Sequence, residues 1–174
     1  MVFNSLKGQS AMEYLMTYGW ALLVIAIVVA VLWVIWPGGA IDSCLFQDPG
    51  FTCEGHRITS GDILYAKITN GNHKTIKNVQ VACIKGSARP DKTRYVPLAS
   101  TTLPNGESFN TGTGVGTTDG AIKCVNSDGT SLDLQLGESF NGRLYIMFNY
   151  ADDDSDIPGK VAVANVLGTV QEGK

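Results

Sequence analysis

Hydrophobic residues are distributed unevenly along the sequence, with a long apolar run near its beginning. Between Glu13 and Asp42 there are 28 residues without a charged side chain. A helix rises about 1.5 Å per residue, so about 20 apolar residues cross the hydrocarbon core of a bilayer. The run has no polar face, which argues against a buried helix of a soluble protein. The pattern therefore predicts an apolar helix over residues 9–36.

After Ile41 the period of the pattern changes to two. Alternating apolar and polar runs, typical of half-buried strands, begin at Leu64, Val79, Leu132 and Leu144, and the Val/Ala-rich run 161–170 could close the sheet. Gly-bearing turn pairs separate these runs. The Thr/Gly/Asn-rich stretch 100–120 is expected to be a long exposed loop or a pair of poor edge strands. The predicted fold class is α+β: a long N-terminal helix followed by an antiparallel, Ig-like β-sandwich.

Pro37-Gly38-Gly39 divides the two parts. Proline lacks a backbone donor and glycine accepts positive φ, so this triplet is expected to end the helix. We predict a hinge at 37–41 and a β-rich domain at 42–174, called the head below. Within the helix, Gly19, Ala26 and Ala30 are small enough to let a second helix approach closely.

Charge limits the kinds of partner. The net charge is −3 and the pI about 5.3, so there is no basic patch of the kind that binds nucleic acid. Lys7 is the only basic residue before the apolar run, whereas Asp42 and Asp48 follow it. This asymmetry predicts a cytoplasmic N-terminus and an extracytoplasmic head.

The four cysteines all follow the apolar run, which favours disulfides formed on an oxidising side of a membrane. Cys44 and Cys53 bracket a Pro-Gly turn and are predicted to pair, which leaves Cys83 for Cys124. The alternative is a metal site that includes His56. Zinc-binding cysteines usually stand two to four residues apart, so eight intervening residues favour the disulfide, and we predict no metal site.

Sequence motifs for other chemistry are weak. Asp152-Asp153-Asp154-Ser155-Asp156 resembles a calcium loop, but Ile157 stands where glycine is needed, so a solvated acidic turn is expected. The glycines at 112, 114 and 116 lack the Lys-Ser/Thr of a phosphate-binding loop. His56 and His73 are interpreted as surface polar residues. We therefore expect neither an enzyme nor a cofactor.

A specific motif precedes the apolar run. Residues 7–20 read Lys-Gly-Gln-Ser-Ala-Met-Glu-Tyr-Leu-Met-Thr-Tyr-Gly-Trp. This stretch closely resembles the class III (type IV prepilin-like) signal region of archaeal pilins. The resemblance implies that a prepilin peptidase removes residues 1–8 by cutting between Gly8 and Gln9. It also implies that the apolar helix 9–36 survives and assembles into a filament core, with a pilin-like head outside.

Glu13 has a specific expected role in that assembly. Cleavage before Gln9 frees an α-amine one helical turn from Glu13, and buried opposite charges are tolerable only when paired. Glu13 of one subunit would then meet the Gln9 amine of a neighbour and fix their stagger. The alternative is a carboxylate that rests among lipid headgroups.

The sequence thus predicts a structural subunit of an archaeal type IV pilus-like surface filament that serves adhesion or cell–cell contact. Its expected partners are copies of itself, the prepilin peptidase, the pilus assembly machinery and, before assembly, the cytoplasmic membrane. Two other readings of the front segment stay open. It is either a membrane anchor for a binding module that does not polymerise, or a secretory signal peptide cut near Gly38-Gly39-Ala40.

Overall fold

A computed structural model describes residues 6–35, 41–100, 102–113, 120–154 and 159–173, with helix side chains given for 12–14 and 16–35. The chain divides into two compact units, Met1–Gly39 and Ala40–Lys174. The elements are α1 (Leu6–Ile35), β1 (Ser43–Phe46), β2 (Phe51–Thr59), β3 (Leu64–Asn70), β4 (Ile76–Lys85), a short 3-10 helix (Lys92–Arg94), β5 (Val96–Pro97), β6 (Thr102–Leu103), β7 (Ser108–Asn110), β8 (Cys124–Val125), β9 (Ser139–Tyr150) and β10 (Lys160–Gln171).

The first unit is the apolar helix that the pattern predicts. Helix α1 spans 30 residues, and its apolar side chains lie all round the axis rather than along one stripe. Val and Ile are only moderate helix formers in water, but apolar surroundings compel the backbone to bond internally. The predicted hinge lies outside the described residues, except for Ile41.

The second unit is a strand-rich sheet centred on β10. One edge of β10 pairs antiparallel with β9, from Lys160 opposite Phe148 to Thr169 opposite Ser139. Its other edge carries β1 first and then, at Val170 and Gln171, β2 in parallel. The path of hydrogen-bonded strands is β5-β4-β9-β10-β2-β3-β7. The α+β class is thus present. The antiparallel sandwich is not confirmed. β10 pairs with β9 on one edge and with β1 and β2 on the other, and it thereby joins the strands into one continuous sheet.

The main apolar cluster of the head draws on strands along the whole sheet, and a second, smaller cluster contains Ala82, Tyr95 and Tyr145. Ile58, Leu64 and Ile68 of β2 and β3 pack in the same apolar cluster as residues of β4, β9 and β10. Phe140 is the largest of the fully buried side chains. The alternation in residues 64–69, 79–83, 144–150 and 161–170 therefore corresponds to real strands. β3 and β10 alternate in burial, whereas β4 and β9 are buried on both faces over part of their length.

The run Leu132–Leu134–Leu136 is not a strand, and this prediction is wrong. Leu134 is buried, but Leu136 is 61% exposed. The backbone amides of Leu132 and Leu134 bond to the Asp62 carboxylate instead of to a neighbouring strand. An alternating pattern predicts a strand only where a partner strand is available. Here the Asp62 carboxylate, and not a neighbouring strand, accepts the backbone hydrogen bonds.

The stretch 100–120 contains two short edge strands in its described part, β6 and β7, as one of the two expected readings has it. β6 pairs with β4 and β7 with β3. Together with β5 and β8, which also pair with β4, these strands of two or three residues flank the long strands. Short edge strands leave little backbone to pair with another chain.

Candidate functional site

The candidate site that the sequence indicates is α1 itself. Its segment Met12–Ile35 is long and apolar enough to cross a membrane, and each of its described side chains is exposed. Trp33, for example, is 86% exposed. Each large apolar side chain left in water costs roughly 1.5–3 kcal/mol relative to burial, so a helix this exposed is stable only against lipid or other protein.

The predicted assembly residues lie along this helix. Gly8 and Gln9 fall within the helical backbone of α1, and Glu13 is exposed one turn further on. The hydroxyl of Thr17 donates to the backbone carbonyl of Glu13 over 2.9 Å. Thr17 is thereby satisfied inside the helix, as hydroxyls in apolar helices usually are.

The predicted packing residues are open to a neighbour. A methyl group added at Gly19 would meet no atom within 4 Å, other than the helix's own nearby backbone. Ala26 and Ala30 are exposed. Nothing in the described part of the chain covers these three positions, so they present a surface that a second helix can approach.

Aromatic side chains lie toward both ends of the apolar segment. The rings of Tyr14 and Tyr18 stack with centroids 4.4 Å apart, and Trp20 is exposed close by. Trp33 lies near the other end, and Trp36 falls outside the described residues. Amphipathic aromatic rings at both ends of a span are typical of helices that sit in a bilayer.

The head carries both disulfides with the predicted pairing. Cys44 bonds to Cys53, with Cα atoms 5.9 Å apart, and joins β1 to β2. Cys83 bonds to Cys124 and joins β4 to β8 inside the core. These bonds fit a head that matures in an oxidising compartment.

His56 is not the surface residue that we expect from the sequence. It is half-buried on β2, and its Nε2 lies 2.8 Å from the carbonyl oxygen of Leu167 on β10. His73 is exposed, as expected, with a positive φ of 58° in the connection between β3 and β4. No local pattern predicts the His56 contact, because it joins residues 111 positions apart.

The acidic turn after β9 is held by lysines in its described part. Lys74 pairs with Asp152 at 2.6 Å, and Lys160 with Asp153 at 2.9 Å. These ammonium groups hold the pKa of each carboxyl below its usual range. Ser155, Asp156 and Ile157 lie outside the described residues. Two of the carboxylates that a calcium loop would need are thus engaged by cations of the chain itself.

A cleft of about 460 Å³ opens beside this turn. Its floor includes Phe51, Phe148 and Tyr150, and the Phe148 ring contacts each of the other two edge to face. Its wall is fixed by Asn72, whose side-chain amide donates to the carbonyl of Gly50 over 2.9 Å. An apolar floor with a polar rim held in place is the usual form of a small-ligand site.

Comparison of the chain with protein-family models, with curated proteins and with solved structures finds no match.

Proposed function

We propose that this chain is a pilin, a structural subunit of an archaeal type IV pilus-like surface filament that serves adhesion or cell–cell contact. The observation that carries the proposal is a 24-residue apolar segment, Met12–Ile35, whose described side chains are exposed and which continues out of the prepilin-like motif at residues 7–20. A prepilin peptidase cuts between Gly8 and Gln9, and the mature subunit keeps the helix.

The helix has two successive environments in this proposal. It first lies in the cytoplasmic membrane with its N-terminus inside, and it then moves into a bundle of helices at the filament core. Lipid tails and apolar side chains are about equally apolar, so water exclusion drives this transfer little. Close packing must drive it, and Gly19, Ala26 and Ala30 are the positions that permit close packing.

Glu13 supplies the specificity of the contact. It is the only charged residue from Gln9 to Ile41. A single carboxylate in an apolar bundle is destabilising unless a cation pairs with it, and the α-amine of Gln9 on a neighbouring subunit is such a cation. Pairing is possible at one stagger of the two helices only, so this contact sets the register of the filament.

The head forms the outer wall. Its sheet has short edge strands, so polymerisation by strand pairing between heads is disfavoured and the helix remains the polymerising element. The two disulfides stabilise a domain that works outside the cell. In this proposal the head is the pilin-like domain that the sequence predicts, built on one continuous sheet.

The test is the variant Glu13→Ala, with filaments counted by electron microscopy of sheared cell-surface material. The variant should be cleaved normally, because the cut lies four residues away, yet form no filaments. The matched control is Glu107→Ala, which removes an exposed glutamate of the head and should leave filaments unchanged. Normal filaments from Glu13→Ala would refute the assembly role of this residue.

The cleft beside the acidic turn favours one second candidate, a membrane-anchored binding module that does not polymerise. Asp48 and Lys160 add opposite charges to its aromatic floor, which suits a small polar solute or a sugar. In that case the wild-type chain stays in the membrane fraction and no filaments are recovered from cells that express it.

A further inference from the structure

A β-bulge in β2 brings His56 onto the same face as Cys53. Residues three apart on a regular strand point to opposite faces. Here Cys53 pairs with Ile68 and Gly55 with Lys67, so Glu54 is an extra residue whose backbone has no register partner on β3. The extra residue reverses the alternation after it, and both Cys53 and His56 become half-buried while their neighbours are exposed.

Three metal-binding side chains meet as a result. The sulfur atoms of Cys44 and Cys53 and a ring nitrogen of His56 all lie within 4.8 Å of one another. Around a tetrahedral zinc ion such ligand atoms stand about 3.5–3.8 Å apart. The bonded sulfur atoms are 2.05 Å apart, so once the bond is open, side-chain rotations that move each sulfur by about 1 Å reach that geometry.

The hydrogen bond of His56 prepares its ring for a metal. A carbonyl oxygen only accepts, so Nε2 is the donor to Leu167, and in the neutral imidazole this leaves the lone pair on Nδ1. Histidines that bind metals usually donate their other ring N–H in this way, which fixes the tautomer and the orientation of the ring.

We infer that Cys44, Cys53 and His56 form a Zn²⁺ site when the disulfide between the two cysteines is open. A dithiol reductant opens it: the Sγ–Sγ bond takes up two electrons and two protons, and the dithiol becomes a cyclic disulfide. Zn²⁺ then displaces the two thiol protons into solvent and binds two thiolates and one imidazole. A water molecule completes the tetrahedron, since all three side chains are only half-buried.

The site is exclusive with the disulfide, so the head has two alternative states at this place. In the oxidised state a disulfide links β1 to β2. In the reduced state a bound metal ion links the same two strands. Cys83 and Cys124 are almost fully buried, so a mild reductant reaches Cys44 and Cys53 first.

The experiment uses the full chain in detergent micelles, reduced without oxygen, freed of reductant and titrated with Co²⁺ as a spectroscopic probe. Reduced protein should develop thiolate-to-cobalt absorption that saturates at one Co²⁺ per chain, and oxidised protein should not. His56→Ala should weaken binding at least tenfold. His73→Ala, which removes the only other histidine, should bind like the wild type.

A second measurement guards against loss of the fold on reduction. Zn²⁺ should protect Cys44 and Cys53 from alkylation, as read by peptide mass mapping, and should not protect Cys83 and Cys124. The inference is overturned if reduced wild type shows no charge-transfer absorption, if His56→Ala binds as tightly as His73→Ala, or if all four thiols are protected alike.

Discussion

Asp62 carries more of the head's architecture than any pattern in the sequence suggests. Its backbone has a positive φ of 62°, and its side chain is only 9% exposed. The carboxylate accepts from the backbone amides of Leu132, Asp133 and Leu134 over 3.2–3.4 Å. One side chain thereby satisfies three backbone donors of a loop that pairs with no strand at these residues.

Replacing this carboxylate tests that role. Asp62→Asn leaves one acceptor oxygen and turns an N–H₂ group toward backbone donors, so the free energy of unfolding should fall by about 1–3 kcal/mol. Equilibrium denaturation of the full chain in micelles measures it. Asp48→Asn, at an exposed turn, is the control and should change stability little. An equal effect of the two substitutions would contradict the role of Asp62.

Asp153 predicts a pH dependence. Lys160 and the backbone amide of Tyr150 lower the pKa of its carboxyl from the ordinary value of 3.8. A lowered pKa means that the stabilisation is complete above the unfolded pKa and is lost as the pH falls through the folded pKa. Asp153→Asn should therefore be less stable than wild type at pH 7, and the gap should narrow in acid. Asp154→Asn, an exposed neighbour, serves as control, and a gap that widens in acid would contradict the argument.

At the scale of elements, the longest strands follow from the sequence and the bulged strand does not. β9 and β10 are twelve residues long each, and the sequence shows them as the alternating run 144–150 and the Val/Ala-rich run 161–170. β2 is equally central but goes unnoticed, because the extra Glu54 breaks the alternation and Gly55 interrupts the apolar run. The half-burial of His56 could not be predicted for the same reason, because the face on which His56 lies depends on the bulge.

Disulfide pairing could be predicted because it depends on few facts. A short Pro-Gly turn brings Cys44 close to Cys53 whatever the rest of the head does, and the second pair follows by elimination. Contacts between distant residues, such as Asp62 with 132–134, follow from no local pattern. They arise only once the sheet has fixed where each connection lies.

The two disulfides should differ in their contributions to stability. In the chain-entropy model, removing the bond across 9 residues costs about 3 kcal/mol and the bond across 41 residues about 4 kcal/mol. The second pair is also buried in the core. Cys83→Ala with Cys124→Ala should therefore destabilise the head more than Cys44→Ser with Cys53→Ser, as measured by thermal unfolding. The reverse order would contradict this account.

Across the whole chain, the two units differ in how much apolar surface they expose. In the described residues, nearly all the large exposed apolar side chains belong to α1, and the head exposes only Ile41, Leu45 and Leu136. The exposed apolar side chains of the helix therefore require lipid or other helices around them, whereas the described surface of the head is mainly polar. A chain divided in this way suits a filament whose core is helical and whose wall is folded before assembly.

The central claim is that the apolar helix remains in the mature subunit and joins the copies together. Mass spectrometry of the N-terminal peptide from the cell-surface form tests it most directly. The account predicts a chain that begins at Gln9, recovered from sheared filaments. A freely diffusing monomer whose first residue lies beyond Trp36 would contradict it.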